Sequence, residues 1–405
     1  MAAELVEIEG HIIDSLLLAK VLDLVLEAGA DYRMVDVEIG RTSADVSKAR
    51  LEIRLADPEA LDSLLERLQV HGVNRVDVVD ATLVVADSNG VLPEGFYSTT
   101  NLPTQVRIDG HWLEVENPEM DCGLVVDGAG RSPRVRTRPM HRIRAGDPVV
   151  VGFAGVRVQA PEKPRGATPF EFMASEVSSE KPKALLVSQV ADRIRRARAR
   201  GGKVLAVCGP AVIHTGAGPD VARLVRGGWI DVLFAGNALA AHDIEASMFG
   251  TSLGIDLARG ESIPHGHQHH LRAINRIRRA GSIAEAVHQG LVTRGVMHAC
   301  ITKPIPFVLA GSIRDDGPLP DVFTDAVQAA DAMRELVLGV TVAIIVATTL
   351  HGVATGNMLP ADVATFCVDS SADTVIKLVD RGTQQAVGIV TDCEYFLNEL
   401  ARVLS

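Results

Sequence analysis

Six short clusters of small, hydroxyl, amide and acidic residues each follow an apolar run, and their types suit a nucleotide and a small polar substrate. They are Gly209-Pro210 with His214-Thr215-Gly216-Ala217-Gly218, Gly236-Asn237-Ala238, residues 311–317 (GSIRDDG), Thr348-Thr349-Leu350-His351-Gly352, Asp369-Ser370-Ser371 and Asp392-Cys393. Glycines let backbone approach phosphate, and a helix that starts beyond them offers free N–H groups and a positive dipole end. Gly216-Ala217-Gly218 is a GxG, but Val221 stands where the dinucleotide fingerprint needs its third glycine.

Asp369 ends an apolar run. An acid there either binds the two ribose hydroxyls, repelling a 2′-phosphate and so favouring NAD over NADP, or caps the helix expected from Asp373. Asp392-Cys393 opens the last expected helix, where the thiol is either more acidic than usual or a small buried group. Asp315-Asp316-Gly317 is either a plain turn or a carboxylate that receives a substrate ammonium or takes its proton. The cluster His265-Gly266-His267-Gln268-His269-His270 invites a metal, but no Cys or acid accompanies it and His267–His270 is not an i, i+4 pair. No metal is therefore expected. A Gly-rimmed flap whose neutral imidazoles relay protons fits the spacing better. The arginines between 193 and 200 (RIRRARAR) read as a solvated helix face.

Strand ends must be held by a sheet, and from residue 183 onward strands alternate with helices, the pattern of a parallel α/β domain. Strands are expected at 204–208, 231–235, 307–310, 341–347, 365–368 and 386–391. Helices are expected at 183–200, 219–226, 269–279, 283–289, 324–338, 373–379 and 394–403. Ligands of such sheets lie at the carboxyl ends of the strands, where the six clusters fall. Upstream, the order βαββαβ over about residues 1–92 predicts a ferredoxin-like α+β module, with Asp57 capping a helix that begins at Pro58. Residues 93–182 predict a β-rich domain, a small barrel or sandwich, ending in a polar linker at 161–182. The NAD-binding α/β domain then covers 183–405.

The 405 residues allow two to three domains, and 47% hydrophobic against 22% charged residues excludes a disordered chain. A net charge of −11 argues against nucleic acid, as do aromatics at only 4%. The most apolar run, 338–347, is too short to span a bilayer, and MAAELVEIEG lacks the pattern of a secretory signal. Five cysteines without a CxxC pair suit reduced thiols in a cytoplasm.

Longer segments carry a resemblance. GNALAAHDIE (236–245), GTSLGIDLARG (250–260), HHLRAINRIRRAGSI (269–283), VLAGSIRDDGPLPDV (308–322), TTLHGVATGNMLP (348–360), residues 367–396 and GFYSTTNLPTQVR (95–107) together resemble the archaeal-type NAD-dependent ornithine cyclodeaminases. That sequence is also the C-terminal part of the bifunctional arginine dihydrolase/ornithine cyclodeaminase. The N-terminal module is similar to the conserved region of lysine-ketoglutarate reductase/saccharopine dehydrogenase. No guanidine-hydrolysing domain precedes residue 1, so the dihydrolase half is expected to be absent. The resemblance implies an NAD-binding domain like that of deoxyhypusine synthase, which accounts for the missing third glycine. It also implies a lyase that converts L-ornithine to L-proline and ammonia with recycled NAD, and a cytoplasmic homo-oligomer. Carried over by motif, NAD contacts fall on Asn237, Ala238, Thr348, Thr349, Leu350, His351, Asp369, Asp392, Cys393 and Asp316. For the substrate, Asp315 or Asp316 would act as base or ammonium anchor and Arg314 or Lys377 would hold the carboxylate. Asp243, Glu245 and His270 stand in reserve. The alternatives are an NAD-dependent dehydrogenase or aminoalkyl transferase on another basic amino acid or polyamine, and a non-catalytic NAD or amino-acid sensor.

Overall fold

The computed structural model describes residues 2–13, 16–42, 45–76, 79–128, 132–159, 177–178, 183–257, 259, 261, 266–315, 317–380 and 386–405. Most of the polar stretch 161–182, His265 and Asp316 lie outside the described residues. The chain divides into two compact units, Met1–Ala174 with Asn357–Ala361, and Ser175–Gly356 with Asp362–Ser405.

The first unit opens with β1 (Ala2–Gly10), α1 (Leu17–Glu27), β2 (Asp31–Glu38), β3 (Ser47–Leu55), α2 (Pro58–Gln69) and β4 (Val73–Arg75). Apolar residues alternate along β1 and β3, so Val6, Ile8, Ala49, Leu51 and Ile53 share a buried face covered by Val21, Val25, Leu61 and Leu68 of the two helices. Asp57 caps α2 by accepting the Glu59 N–H, with Pro58 at the first helical position. The antiparallel order β2-β3-β1-β4 is that of a split-βαβ sandwich.

Next come β5 (Thr82–Val85), β6 (Thr104–Ile108), β7 (His111–Glu116), β8 (Gly123–Asp127), β9 (Arg134–Arg138), β10 (Pro148–Val151) and β11 (Val156–Val158), in the sheet order β11-β6-β7-β9-β8-β10-β5. The pairing of β5 with β10 starts this sheet ahead of residue 93. Charge disguises β9 (RVRTR) in the sequence. Its arginines are matched by Glu116, Asp127 and Asp147 on neighbouring elements. At the β11 edge, Gln69 Nε2 donates to the Val156 carbonyl, and Asn74 bonds both the N–H and the carbonyl of Val158. Within the same unit, Asn101 holds the segment 357–361 through the Leu359 carbonyl and the Ala361 N–H.

The second unit contains β12 (Val177–Ser178), α3 (Lys183–Ala199), β13 (Lys203–Cys208), α4 (Ala211–His214), α5 (Gly218–Arg226), β14 (Val232–Gly236), α6 (Asn237–Phe249), β15 (Thr251–Ser252), β16 (Ile255–Asp256), α7 (His269–Ala280), α8 (Ile283–His288), α9 (Val296–Thr302), β17 (Phe307–Ala310), β18 (Val322–Phe323), α10 (Ala326–Leu336), β19 (Val340–Val346), α11 (Leu350–Met358), β20 (Ala364–Asp369), α12 (Ala372–Asp380), β21 (Ala386–Val390) and α13 (Cys393–Leu404). Its main sheet is parallel throughout, in the order β12-β21-β20-β19-β13-β14-β17-β18. Central strands read as unbroken apolar runs because helices cover both faces. From β13 the chain runs outward through β14 to β17, and then restarts at β19 on the other side of β13. That reversal is the topological switch point of an open α/β sheet, where a crevice forms at the strand ends. Among the described residues, no helix is long and apolar enough to cross a membrane.

Candidate functional site

The floor of the crevice is backbone on backbone. Gly209 N–H donates to the Val346 carbonyl at 2.9 Å. A Cβ at Gly209 would lie 1.8 Å from the Ala347 carbonyl oxygen, so only glycine closes the junction between β13 and β19. Gly236, at the end of β14, would direct a Cβ to within 2.9 Å of His351 Cε1. It precedes α6, whose first turn has neither a side-chain cap nor an acid. Such an end leaves N–H groups and the positive dipole end for an anion. The GxG helix is built differently. Asp220 is buried in the first turn of α5, where it accepts from Asn398 and pairs with Arg223. Gly216 has φ +90°, a turn conformation, and a Cβ on Gly218 would press on Ile213. Gly216 therefore makes a turn, and the end of a helix open to phosphate belongs to α6.

Around this floor the predicted residues gather along one edge of the sheet. Asn237 is buried, and its Oδ1 accepts the Leu319 N–H at 3.0 Å, which orients the amide. Ala238 follows on the same open turn. Thr348, Thr349 and Leu350 lead into α11, with Leu350 76% exposed. Burial pushes His351 below the ordinary imidazole value against the opposing charge of Asp315, so its ring is neutral at neutral pH. Asp315 Oδ2 accepts the Ser312 N–H at 2.8 Å, while Arg314 and the fully exposed Ile313 stand on the loop beyond β17. One oxygen of Asp369 takes the Ser371 N–H, so the carboxylate is partly engaged in the turn before α12. Asp392 caps α13 through the Glu394 and Tyr395 N–H groups. Cys393 is buried, and burial raises its thiol although the Thr215 hydroxyl at 3.4 Å opposes the shift. It is the inert alternative, not an acidified thiol. Lys377 is not brought to this edge: it is exposed in the last turn of α12, which runs back from the carboxyl end of β20.

A second set of polar groups lies beside α6, most of it without a role expected from the sequence. Glu245 is fully buried and accepts from His242 Nδ1 (2.9 Å), Thr251 Oγ1 (2.9 Å) and the N–H groups of Leu253 (3.2 Å) and Gly254 (3.1 Å). Burial pushes its carboxyl up, but these donors outweigh it and hold the group below the usual range. His269 Nδ1 lies 2.8 Å from Thr251 Oγ1, and His214 Nδ1 lies 2.7 Å from Ser252 Oγ. The rings of His214 and His242 meet edge to face at 4.7 Å, and His270 is 5.9 Å from His242. Burial and the neighbouring His242 lower His214 to about 4. Asp243 points elsewhere: both of its oxygens cap α9 at the Val296 and Met297 N–H groups, and burial raises it to about 6. The sequence signal for this cluster was His242 three residues before Glu245, a helical i, i+3 pair. Among the described residues, no group of three or more His, Cys, Asp or Glu side chains is arranged to hold a metal.

A switch-point crevice floored by glycine, beside an uncapped helix end, defines the class: a Rossmann-like dinucleotide-binding α/β domain. The family model for the ArgZ-like arginine dihydrolase C-terminal Rossmann-fold region matches residues 188–400, that for the first C-terminal region matches 103–187, and that for the LOR/SDH bifunctional enzyme conserved region matches 3–102. The chain belongs to the ornithine cyclodeaminase family. It is 49% identical to the ornithine cyclodeaminase of Methanothermobacter thermautotrophicus over 97% of its own length and 95% of that protein's. The apo structure of cyanobacterial ArgZ, an arginine dihydrolase, superposes with a TM-score of 0.86 at 35% identity, covering 100% of this chain and 58% of ArgZ. The ternary complex of AgrE with ornithine and NAD+ matches with a TM-score of 0.54 at 38% identity, covering 100% of this chain and 57% of AgrE. The chain thus spans somewhat over half the length of these two solved relatives.

Proposed function

We propose that this protein converts L-ornithine to L-proline and ammonia, with NAD as a cofactor that is reduced and reoxidised within each turnover. The observation that carries the reading is 49% identity to an ornithine cyclodeaminase across 97% of the chain. The residues at the switch point suit NAD. Gly209 and Gly236 keep side chains out of the crevice, and the open first turn of α6 meets the needs of a pyrophosphate. Asn237 and Ala238 would contact the phosphates, Thr348 to His351 the nucleotide across the crevice, and Asp369 the ribose. Asp392, Cys393 and Asp316 complete the proposed contacts, although Cys393 could contribute only through backbone or packing. When bound, NAD supplies the oxidation at the α-carbon and its reversal on the ring imine.

The chain's own residues must bind and orient ornithine and keep water out. Asp315 is suited to the δ-ammonium, and the exposed Arg314 is better placed than Lys377 for the carboxylate. The exposed Leu350 and Ile313 at the same strand ends are apolar surfaces that would be covered as the site closes. We also read the ferredoxin-like region from β1 to β4 as a binding module and the protein as a cytoplasmic homo-oligomer.

One incubation tests the reading: L-ornithine and a catalytic quantity of NAD with purified protein, followed for proline, ammonia and absorbance of reduced cofactor. Proline and ammonia in equal amounts without accumulating NADH is the expected result. Net NADH formation would instead mark a dehydrogenase, and bound NAD without turnover of any basic amino acid would mark a sensor.

A further inference from the structure

The polar cluster on α6 has chemistry that nucleotide binding does not use. Glu245 has a pair of donors on each oxygen, which fixes it as an acceptor. An ionised carboxylate only accepts, so His242 Nδ1 carries a hydrogen, and in the neutral imidazole Nε2 is the nitrogen with the lone pair. This is the arrangement by which a carboxylate orients a catalytic imidazole. Ala238, His242 and Glu245 stand at i, i+4 and i+7, on one face of the helix that starts at Gly236. The imidazole therefore lies one turn below a proposed cofactor contact.

The reaction requires such a group. Ornithine enters with both amines protonated, and its α-nitrogen must lose a proton before the α C–H electron pair can leave to the nicotinamide. The same nitrogen must regain a proton before its bond to carbon breaks. The nearby carboxylates have other parts: Asp243 and Asp392 cap helices, while Asp315 is assigned above to the δ-ammonium and Asp369 to the ribose. Building on the ornithine reading, we propose that His242 is the acid–base residue of the cyclodeamination and Glu245 its positioning residue. Nε2 takes the proton of the α-ammonium and returns it to the departing nitrogen, so that ammonia leaves. The δ-nitrogen sheds two protons to solvent, one before and one after it bonds to the imine carbon. Released ammonia and the ring nitrogen of proline each take one up. The electron pair returns to the ring carbon, so protons balance and nothing is oxidised overall. The ionisable groups facing His242 are His214 from α4, His270 and, through Thr251, His269 from α7, and Glu245 on its own helix.

The test compares wild type with His242→Gln, His242→Ala and Thr251→Val, using L-ornithine and NAD. His242→Gln should lower kcat at least about 100-fold with little change in KM or in NAD affinity, the usual scale for losing a general acid–base group. Imidazole in the buffer should restore part of the activity of His242→Ala. Thr251→Val, which removes one donor from Glu245 and leaves His242 intact, should displace the pH profile of kcat, and it keeps the test decisive if the His242 variants do not fold. A folded His242→Gln enzyme with kcat within a few-fold of wild type overturns the proposal, as does an unmoved profile in Thr251→Val. Wild type that makes no proline from ornithine would instead overturn the ornithine reading itself.

Discussion

Gly209 and Asp369 illustrate how single residues set the crevice. Gly209→Ala places a methyl group on the Ala347 carbonyl, and the strands must part. It should destabilise the protein by about 1–3 kcal/mol or more and weaken NAD binding, read by urea unfolding and nucleotide titration. Asp369→Ala should raise the Kd for NAD about tenfold or more, as expected when a charge-assisted hydrogen bond to ribose is lost. Unchanged nucleotide affinity would show that Asp369 serves only its turn with Ser371. The strand-end residues were legible because small and polar types break apolar runs. The Gly209 contact was not, since it depends on a strand 138 residues away meeting it across the switch point (Gly209 to Ala347). Lys377 misled for a related reason: its motif lies close to Asp369 in sequence, but α12 carries it away from the edge.

At the scale of elements, legibility followed amphipathicity. Helices with one apolar face, such as α7 and α13, are expected from the sequence close to their observed bounds, whereas α6 gives no helical periodicity. Its residues Leu239 to Glu245 are all buried, so no polar stripe alternates with the apolar one. Strand β9 is hidden in the opposite way, its arginines masking a ladder in which they pair with Glu116 and Asp127. Capping is legible at Asp57, which closes the start of α2 as its position before Pro58 predicts. Asp325 accepts from both the Val327 and Gln328 N–H groups at the start of α10, on the outer part of the sheet. Asp325→Ala should cost about 1 kcal/mol, seen as a lower urea midpoint with an unchanged slope.

For the molecule as a whole, two groups beside α6 bias stability in opposite directions as the solution is acidified. His214 sits at about 4 in the fold against 6.5 for a free imidazole, so its contribution is complete above pH 6.5 and is lost as pH falls toward 4. Asp243 is raised to about 6 from 3.8, so its contribution is present below pH 3.8 and disappears as pH rises through 6. His214→Asn should therefore lose less melting temperature than wild type between pH 7 and pH 4.5. Parallel melting curves for the two proteins would contradict this. Ligand linkage offers an independent measurement: NAD at about 100 times its Kd should add about 2.7 kcal/mol of stability, visible as a concentration-dependent rise in Tm.

The side chains of Gln69 and Asn74 have a further effect on the β-rich sheet of the N-terminal unit. On β11, odd positions bond to β6 and even positions face outward, where a free strand would leave a template for another chain. Gln69 and Asn74 occupy those outward groups, so the edge is sealed by amides that cannot propagate a ladder. Self-templated growth of this sheet is blocked there without a charge or a proline, by two neutral side chains that lie outside the sheet they protect.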